Sequence, residues 1–298
     1  MATVKFRIRS PLFQNVVANY FAVAWMGGLS IFLIPVYLRL LGAHEWGLVA
    51  VCMALQGVFG LLDAGLGQIM PRDIARAGNS PLAIAKVYGL FLRAYVLVAF
   101  AGFILGQLAV PWLLHHWLNL EPAQQFNSEL SLRLVLVQFL FQFANNAHIG
   151  YWNGIQKQAK SSIRQCVFVT LKHMVAMSML MTWRSESWVY LLGFCLVAGV
   201  EWSVNHWCIH SEILGVTTIS LSDVQQLLRE IGLLLLGVLV GMAATQMDRI
   251  ILVKYVDVAS FGRYVIVLNL GLAALQLQSP LMRAFIPKLA QTDAVTDK

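Results

Sequence analysis

Charged residues are scarce in this sequence, because Asp, Glu, Lys and Arg together make up only 12% of its 298 residues. Soluble domains contain about 25% charged residues, so the composition excludes an ordinary soluble protein. The four cysteines all lie within apolar runs, which excludes a disulfide framework in loops. The sequence also lacks a long polar segment, a glycine-rich phosphate loop and a nucleophile motif, so an enzyme is not predicted.

Long apolar runs dominate the chain, which is 59% hydrophobic. A membrane-spanning helix needs about 20 mostly apolar residues. Eight segments qualify: 15–42, 46–66, 82–114, 132–154, 163–183, 188–210, 231–253 and 259–279. Uninterrupted apolar runs of this length are not typical of alternating barrel strands, so we predict an all-α polytopic membrane protein with about eight transmembrane helices. The first run is too long for a signal peptide and is predicted to be a retained span.

The basic residues indicate the orientation of these spans. With a cytoplasmic N-terminus, 13 Lys and Arg residues lie on the inner side and six on the outer side, as the positive-inside rule requires. The net charge of +7 is explained by this distribution, and nucleic acid is not predicted as a partner. Five tryptophans then fall at the outer boundary, as expected of an aromatic belt: Trp46, Trp112, Trp117, Trp183 and Trp188.

A short pattern recurs after the first and the seventh spans. Glu45-Trp46-Gly47 corresponds to Ser260-Phe261-Gly262, and a proline followed by a basic residue comes 24 residues after Gly47 and 25 residues after Gly262. The two glycines are 215 residues apart, which is six spans, so the two copies are predicted to be parallel and related by an axis along the membrane normal. Two full copies would need roughly 430 residues.

Three stretches carry a family resemblance: "YLRLLGAHEWG", "GLLDAGLGQIMPRDIARA" and "MDRIILVKYVDVASFGRYVIVLNLGLAALQLQSPLMRAFIPKLAQ". They resemble the polysaccharide-biosynthesis flippases, the O-antigen-unit (Wzx-type) transporters of the multidrug/oligosaccharidyl-lipid/polysaccharide exporter superfamily. The resemblance implies two six-helix lobes around a central cavity. Residues 1–212 would form the complete first lobe and residues 213–298 the first two helices of the second, as in a C-terminally truncated relative or a fragment.

The resemblance also implies a function. Such a transporter flips an undecaprenyl-pyrophosphate-linked oligosaccharide from the cytoplasmic to the periplasmic leaflet of the bacterial inner membrane, by alternating access, during lipopolysaccharide assembly. Its expected partners are the lipid-linked oligosaccharide, membrane lipids and other polysaccharide-assembly proteins, and no cofactor is expected. The alternatives are a cation-coupled drug or cation antiporter of the same superfamily, a non-functional fragment, and a membrane glycosyltransferase or polymerase, for which the loops are too short.

Polar residues inside the spans are the candidate functional residues, because ionisable groups in hydrocarbon usually face a cavity or a partner. At 1.5 Å per residue, one layer about 14–15 Å above the inner surface contains Arg93, Lys172, Glu201, Asn145 and Asn146. In one interpretation Lys172 pairs with Glu201 and the amides bridge helices. In the other, Arg93 and Lys172 attract a pyrophosphate into a hydrated cavity.

Asp248 and Arg249 interrupt the seventh span about 25 Å above its inner end, near the outer boundary. Either Arg249 reaches the outer headgroups while Asp248 braces a neighbouring helix, or Asp248 faces the gap between the lobes as a gate or cation site. The predicted substrate-binding residues are Arg93, Lys172, Asn145, Asn146 and Arg249. The predicted coupling or gating residues are Asp63, which should lie nearer the inner surface, Glu201 and Asp248. Metal binding is not expected, since His206 and His210 have no evident third ligand.

Overall fold

The computed structural model describes residues 11–63, 65–118, 125–213, 224–225, 229, 240–241 and 246–275. We label the helices α1 (Pro11–Phe59), α2 (Leu66–Arg76), α3 (Pro81–Trp112), α4 (Gln125–Gly154), α5 (Gln158–Thr182), α6 (Ser187–His210) and α7 (Val258–Leu275). Residues 246–255 are also helical. A 3₁₀ turn, Gly60–Asp63, follows α1, and a π-helical turn, Leu113–Trp117, follows α3. No strand occurs in the described residues, and the predicted all-α fold is confirmed.

Four helical stretches within the described residues are long and apolar enough to cross a membrane: Gln14–Asp63, Pro81–Trp117, Gln158–Thr182 and Ser187–His210. The 30-residue α4 has sufficient length but carries more polar side chains. The start of α7 is capped by Asp257, whose Oδ1 accepts a hydrogen bond from the Ser260 backbone N–H at 2.9 Å. Hydrogen bonds from the Ser260 side chain and backbone lower the pKa of this exposed carboxyl.

α1 folds back on itself at Gly42, whose φ of 79° and ψ of 168° are not helical. Glycine adopts such a conformation without the penalty that a Cβ would bring. The Tyr37 and Trp46 rings stack at 5.9 Å, whereas nine residues of straight helix would separate them by about 13 Å. α1 therefore contains the first two predicted spans, a first arm (residues 11–41) and a second arm (residues 43–59).

The apolar stretch that contains the second span ends at Asp63, close to the predicted end at Leu66. After the second arm, the 3₁₀ turn and Gly65, which has a φ of 85°, redirect the chain, and α2 then continues to Arg76. The span is thus a broken helix, and its break lies beside the middle of α3, where Tyr95 donates to Asp63. Broken helices at membrane depth are tolerated where protein buries the freed backbone.

α4 is the central helix, and two pairs of glycines let its neighbours approach it closely: Gly102 with Gly106 on α3, and Gly150 with Gly154 on α4 itself. A Cβ on Gly106 would lie 2.5 Å from the Leu136 side chain of α4. A Cβ on Gly150 would lie 2.7 Å from the Met70 sulfur of α2. Small residues four apart commonly bring helix backbones together in membranes, and here they seat α2 and α3 on α4.

The two glycines that the sequence pattern pairs as equivalents contact each other. A Cβ added to Gly262 would lie 2.9 Å from the Gly47 Cα, and one on Gly47 would lie 2.1 Å from the Val258 carbonyl oxygen. Equivalent residues of parallel copies meet only beside the axis that relates the copies. The contact between the second arm and α7 is compatible with a parallel repeat, and the repeat, like the domain boundary at residue 212, stays a prediction.

We predict that Gly47→Ala destabilises the protein by about 1–3 kcal/mol, because the added methyl overpacks the contact with α7. The measurement is thermal unfolding in detergent, followed by the reaction of a thiol dye with buried Cys52, which lies in the second arm. Gly27→Ala in the first arm is the matched control, since no atom lies within 4 Å of its added Cβ. Equal unfolding temperatures for wild type and Gly47→Ala would contradict the prediction.

Candidate functional site

A buried ion pair links α5 to α6. Lys172 Nζ donates to Glu201 Oε2 at 2.6 Å, and the side chains are only 7% and 8% exposed. Asn145 Nδ2 of α4 donates to the other carboxylate oxygen at 3.0 Å. A buried carboxylate is tolerated when both of its oxygens have partners, and this one has them. The predicted interhelical lock is therefore present.

The ion pair continues into a chain of amides toward the α4–α5 turn. Asn205 Nδ2 donates to Asn145 Oδ1 at 3.0 Å, and His148 Nδ1 lies 3.0 Å from the same oxygen. Arg164 Nη1 in turn donates to Asn205 Oδ1 at 3.0 Å. A polar path thus runs from Arg164 to Lys172 through the interior of the lobe.

Lys172 also lines an open cavity of about 260 Å³ between α1, α4, α5 and α6, to which α7 contributes one residue. Its aromatic wall consists of Tyr37, Trp46, Tyr190 and Phe194. Tyr37 packs edge-on against Tyr190 at 5.0 Å, and its hydroxyl lies 2.9 Å from His173 Nδ1. The polar lining consists of Ser30, Gln56, Gln138, Gln142, Lys172, His173 and Asn269.

Three polar atoms of the cavity wall are buried and have no hydrogen-bond partner in the part of the chain that the structure describes. They are Trp46 Nε1, Gln56 Nε2 and Gln138 Oε1. Trp46 and Gln138 are only 5% and 3% exposed. An unpaired polar group in an apolar environment costs several kcal/mol on transfer scales (about 4–8 from water to cyclohexane). The three side chains line the cavity, but the unpaired atoms themselves have almost no accessible surface, so a guest would reach them only after the side chains turn.

Sequence reasoning missed Gln138 and Gln142, although their i, i+4 spacing within an apolar span was a visible signal of one polar face. It also assigned Trp46 to the outer aromatic belt, which was wrong: Trp46 is buried against Tyr37, whereas Trp112 and Trp183 are 59% and 57% exposed. The fold-back at Gly42 turns Trp46 inward.

Arg93 does not meet the residues predicted at its depth. It lies on the exposed face of α3, the face that also carries Leu97 (70% exposed) and Phe100 (53% exposed). It has no hydrogen bond or ion pair with any residue that the structure describes. Asn146 is half-buried, one turn beyond the cavity residue Gln142. The predicted layer is thus split: Lys172, Glu201 and Asn145 come together, and Arg93 stands apart.

Asp63 occupies the break of the second span, deeper than the inner-surface position predicted for it. Its Oδ1 accepts from the Tyr95 hydroxyl at 2.7 Å, and its Oδ2 accepts from the Gly67 backbone N–H at 3.0 Å. The carboxylate therefore stabilises the first turn of α2, where negative charge is favoured.

Asp248 and Arg249 engage different neighbours. The Tyr264 hydroxyl of α7 donates to Asp248 Oδ2, and Arg249 Nη1 donates to Gln246 Oε1 at 3.2 Å. Gln246 lies against Gly57 of the second arm, ten residues and about 15 Å below the Gly47 contact. Arg249 is half-buried, and Asp248 braces α7 through Tyr264.

No family model and no curated protein matches the sequence, but solved structures share its fold. One, named protein A, matches with a TM-score of 0.77 at 14% identity, over 97% of this chain and 66% of that chain. Another, a structure of the MATE multidrug transporter DinF-BH, matches with a TM-score of 0.72 at 15% identity, over 95% of this chain and 65% of that chain. This chain therefore has the fold of such a transporter and spans about two thirds of the length of these structures.

Breaking the buried ion pair is expected to be costly. Lys172→Met leaves Glu201 charged and without its cation, which should lower the free energy of unfolding by about 3–5 kcal/mol. The double variant Lys172→Met/Glu201→Gln removes both charges and keeps an acceptor for Asn145, so it should recover most of that loss. Chemical or thermal denaturation in detergent measures both. A double variant no more stable than Lys172→Met would refute this account of the pair.

Proposed function

We propose that this chain belongs to a membrane transporter that flips an undecaprenyl-pyrophosphate-linked oligosaccharide from the cytoplasmic to the periplasmic leaflet of the bacterial inner membrane. The step would serve polysaccharide (O-antigen) biosynthesis. The fold shared with a multidrug transporter supports transport, and the sequence resemblance to flippases of the same superfamily supports the lipid-linked cargo.

The observation that carries the sugar part of the proposal is the cavity lining, which places amide side chains beside an aromatic wall. Sugar hydroxyls both donate and accept hydrogen bonds, which suits the amide side chains of Gln56, Gln138 and Gln142 that line the cavity. Ligand sites combine apolar and aromatic walls with a few polar groups that fix orientation. A volume of about 260 Å³ accommodates one small ring of the oligosaccharide at a time.

The charge of the cavity separates this cargo from that of the runner-up, a cation-coupled drug or cation antiporter. None of the described residues lining the cavity is a carboxylate, and the one formal charge in the wall is the Lys172 ammonium. Glu201 neutralises that ammonium from behind. A lipophilic cation would meet no negative charge there, whereas a neutral polyhydroxylated ring would meet donors and an acceptor.

The pyrophosphate needs cations that are not already neutralised. Lys172 is paired, so we assign it to the sugar site, together with Asn145 behind it and Asn146 one turn beyond the cavity. Arg93 has no carboxylate partner among the described residues, and Arg249 donates a hydrogen bond to the neutral amide of Gln246. We therefore propose Arg93 and Arg249 as the pyrophosphate-facing cations.

Alternating access requires contacts that close one side of the transporter. The Gly47–Gly262 contact and the bond from Trp117 Nε1 to the Ile250 carbonyl oxygen (3.2 Å) join the first lobe to residues of the second. We propose that they form part of the outer closure. Among the acids, Asp63, Glu201 and Asp248 remain the candidates for coupling, and each would have to exchange the partner it holds now.

Gln138→Leu is expected to lower surface polysaccharide by about tenfold or more in a complemented flippase-deficient strain, because one or two hydrogen bonds to the cargo are lost. Its abundance in the membrane should match wild type. Gln14→Leu is the matched control, since Gln14 lies on an exposed face of α1. Wild-type polysaccharide with Gln138→Leu would refute the sugar site, and dye extrusion without polysaccharide export would support the antiporter.

Arg93→Ala is expected to abolish export while leaving insertion intact, because the pyrophosphate would lose a bidentate partner. The same complementation assay measures this effect. Arg39→Ala is the control, because Arg39 is an exposed arginine near the C-terminal end of the first arm. Full complementation by Arg93→Ala would end its assignment without affecting the sugar site.

A further inference from the structure

Three cations converge on one tryptophan at the α4–α5 turn. Lys160 Nζ lies 4.1 Å from the Trp152 ring centroid, the Arg164 guanidinium 5.2 Å and Lys157 Nζ 5.8 Å. Trp152 is 1% exposed, and its indole N–H has no hydrogen-bond partner among the described residues. Cation–π contacts attract each cation to the ring, but they do not remove the repulsion between the cations.

The positive charge of this cluster is only partly neutralised by carboxylates. Glu212 is the carboxylate that the structure pairs with it, at 3.0 Å from Lys160 and 3.6 Å from Lys157. Arg164 instead donates to the neutral amide of Asn205. Three positive groups against one negative group leave a net charge of +2 over the described residues of the cluster. The Lys157 and Lys160 side chains are 54% and 41% exposed, so an anion can reach them.

The cations are held in position before any anion arrives. Asn15 Nδ2 of α1 donates to the Gln156 carbonyl oxygen at 2.8 Å, and Asn15 Oδ1 accepts from the Ala159 N–H at 3.1 Å. Ser162 Oγ donates to Asn19 Oδ1 at 2.7 Å. These bonds clamp the turn to the start of α1, and a preorganised site loses less entropy on binding.

The turn joins two spans, so the cluster lies at the membrane surface, on the cytoplasmic side in the predicted orientation. Lysine stems there run along the protein while their ammonium groups reach the headgroup level, where lipid phosphates lie. We propose that Lys157, Lys160 and Arg164, gathered around the buried Trp152 ring, bind the phosphate of an anionic lipid headgroup. The lysines would supply point charges and the guanidinium a planar fork.

This site is connected to the cavity. Arg164 is also the first member of the path through Asn205 and Asn145 to Glu201. A headgroup that draws the guanidinium toward the surface removes a hydrogen bond from Asn205. Lipid binding would then change the hydrogen-bonded path that ends at Glu201, the carboxylate that neutralises Lys172.

The test uses the full protein in nanodiscs of phosphatidylcholine with increasing phosphatidylglycerol, and native mass spectrometry of the lipids that stay bound. Lys157→Gln/Lys160→Gln should weaken selective retention of phosphatidylglycerol roughly 30-fold, given about a fivefold loss per lysine. Arg133→Gln/Arg184→Gln is the matched control, because it removes two cations at the opposite end of these helices and should bind like wild type.

Equal retention by wild type and by the lysine double variant would overturn the proposal. Displacement of phosphatidylglycerol by millimolar inorganic phosphate would also overturn it, because the site would then take free anions rather than a headgroup. If the double variant does not fold, Lys157→Gln keeps the test decisive, since this more exposed side chain should still account for a severalfold loss.

Discussion

The ion pair between Lys172 and Glu201 determines what the interior of this lobe can hold. Hydrocarbon offers no water to a buried charge, so a single ammonium or carboxylate at this depth would need a partner from the protein. The pair meets that need at 2.6 Å, and Asn145 satisfies the second carboxylate oxygen. Because the two charges cancel, the adjoining cavity can be polar without carrying an excess of either sign.

A neutral polar cavity is selective through its hydrogen-bonding groups. Its wall leaves Trp46, Gln56 and Gln138 with unpaired atoms, and a guest that leaves them unpaired binds poorly. The amides and hydroxyls of the lining favour a guest that can both donate and accept hydrogen bonds over an apolar one.

Apolar length and residue depth predicted the helices and the Lys172–Glu201 pair, because both depend only on distance along the chain. The rotation of a helix about its axis is not fixed by depth, and Arg93 shows the consequence: it shares the predicted layer but lies on the exposed face of α3. The Asp63-Ala64-Gly65 sequence was a visible signal of the break in the second span. The hydropathy of the surrounding run, taken alone, indicated an uninterrupted helix. The inward position of Trp46 depends on the non-helical conformation of Gly42, and hydrophobic periodicity does not predict that conformation.

The second arm joins three features that would otherwise be separate. Its Gly47 makes the contact with α7. Three of its side chains line the cavity, those of Trp46, Met53 and Gln56. The 3₁₀ turn that follows it carries Asp63 at the break. A helical arm moves as a nearly rigid body, so displacing its outer end also moves the cavity wall. α2 need not follow, because the break at Gly65 separates it from the arm and its packing on Gly150 and Gly154 holds it to α4. The second arm therefore links the contact with α7 to the shape of the cavity wall.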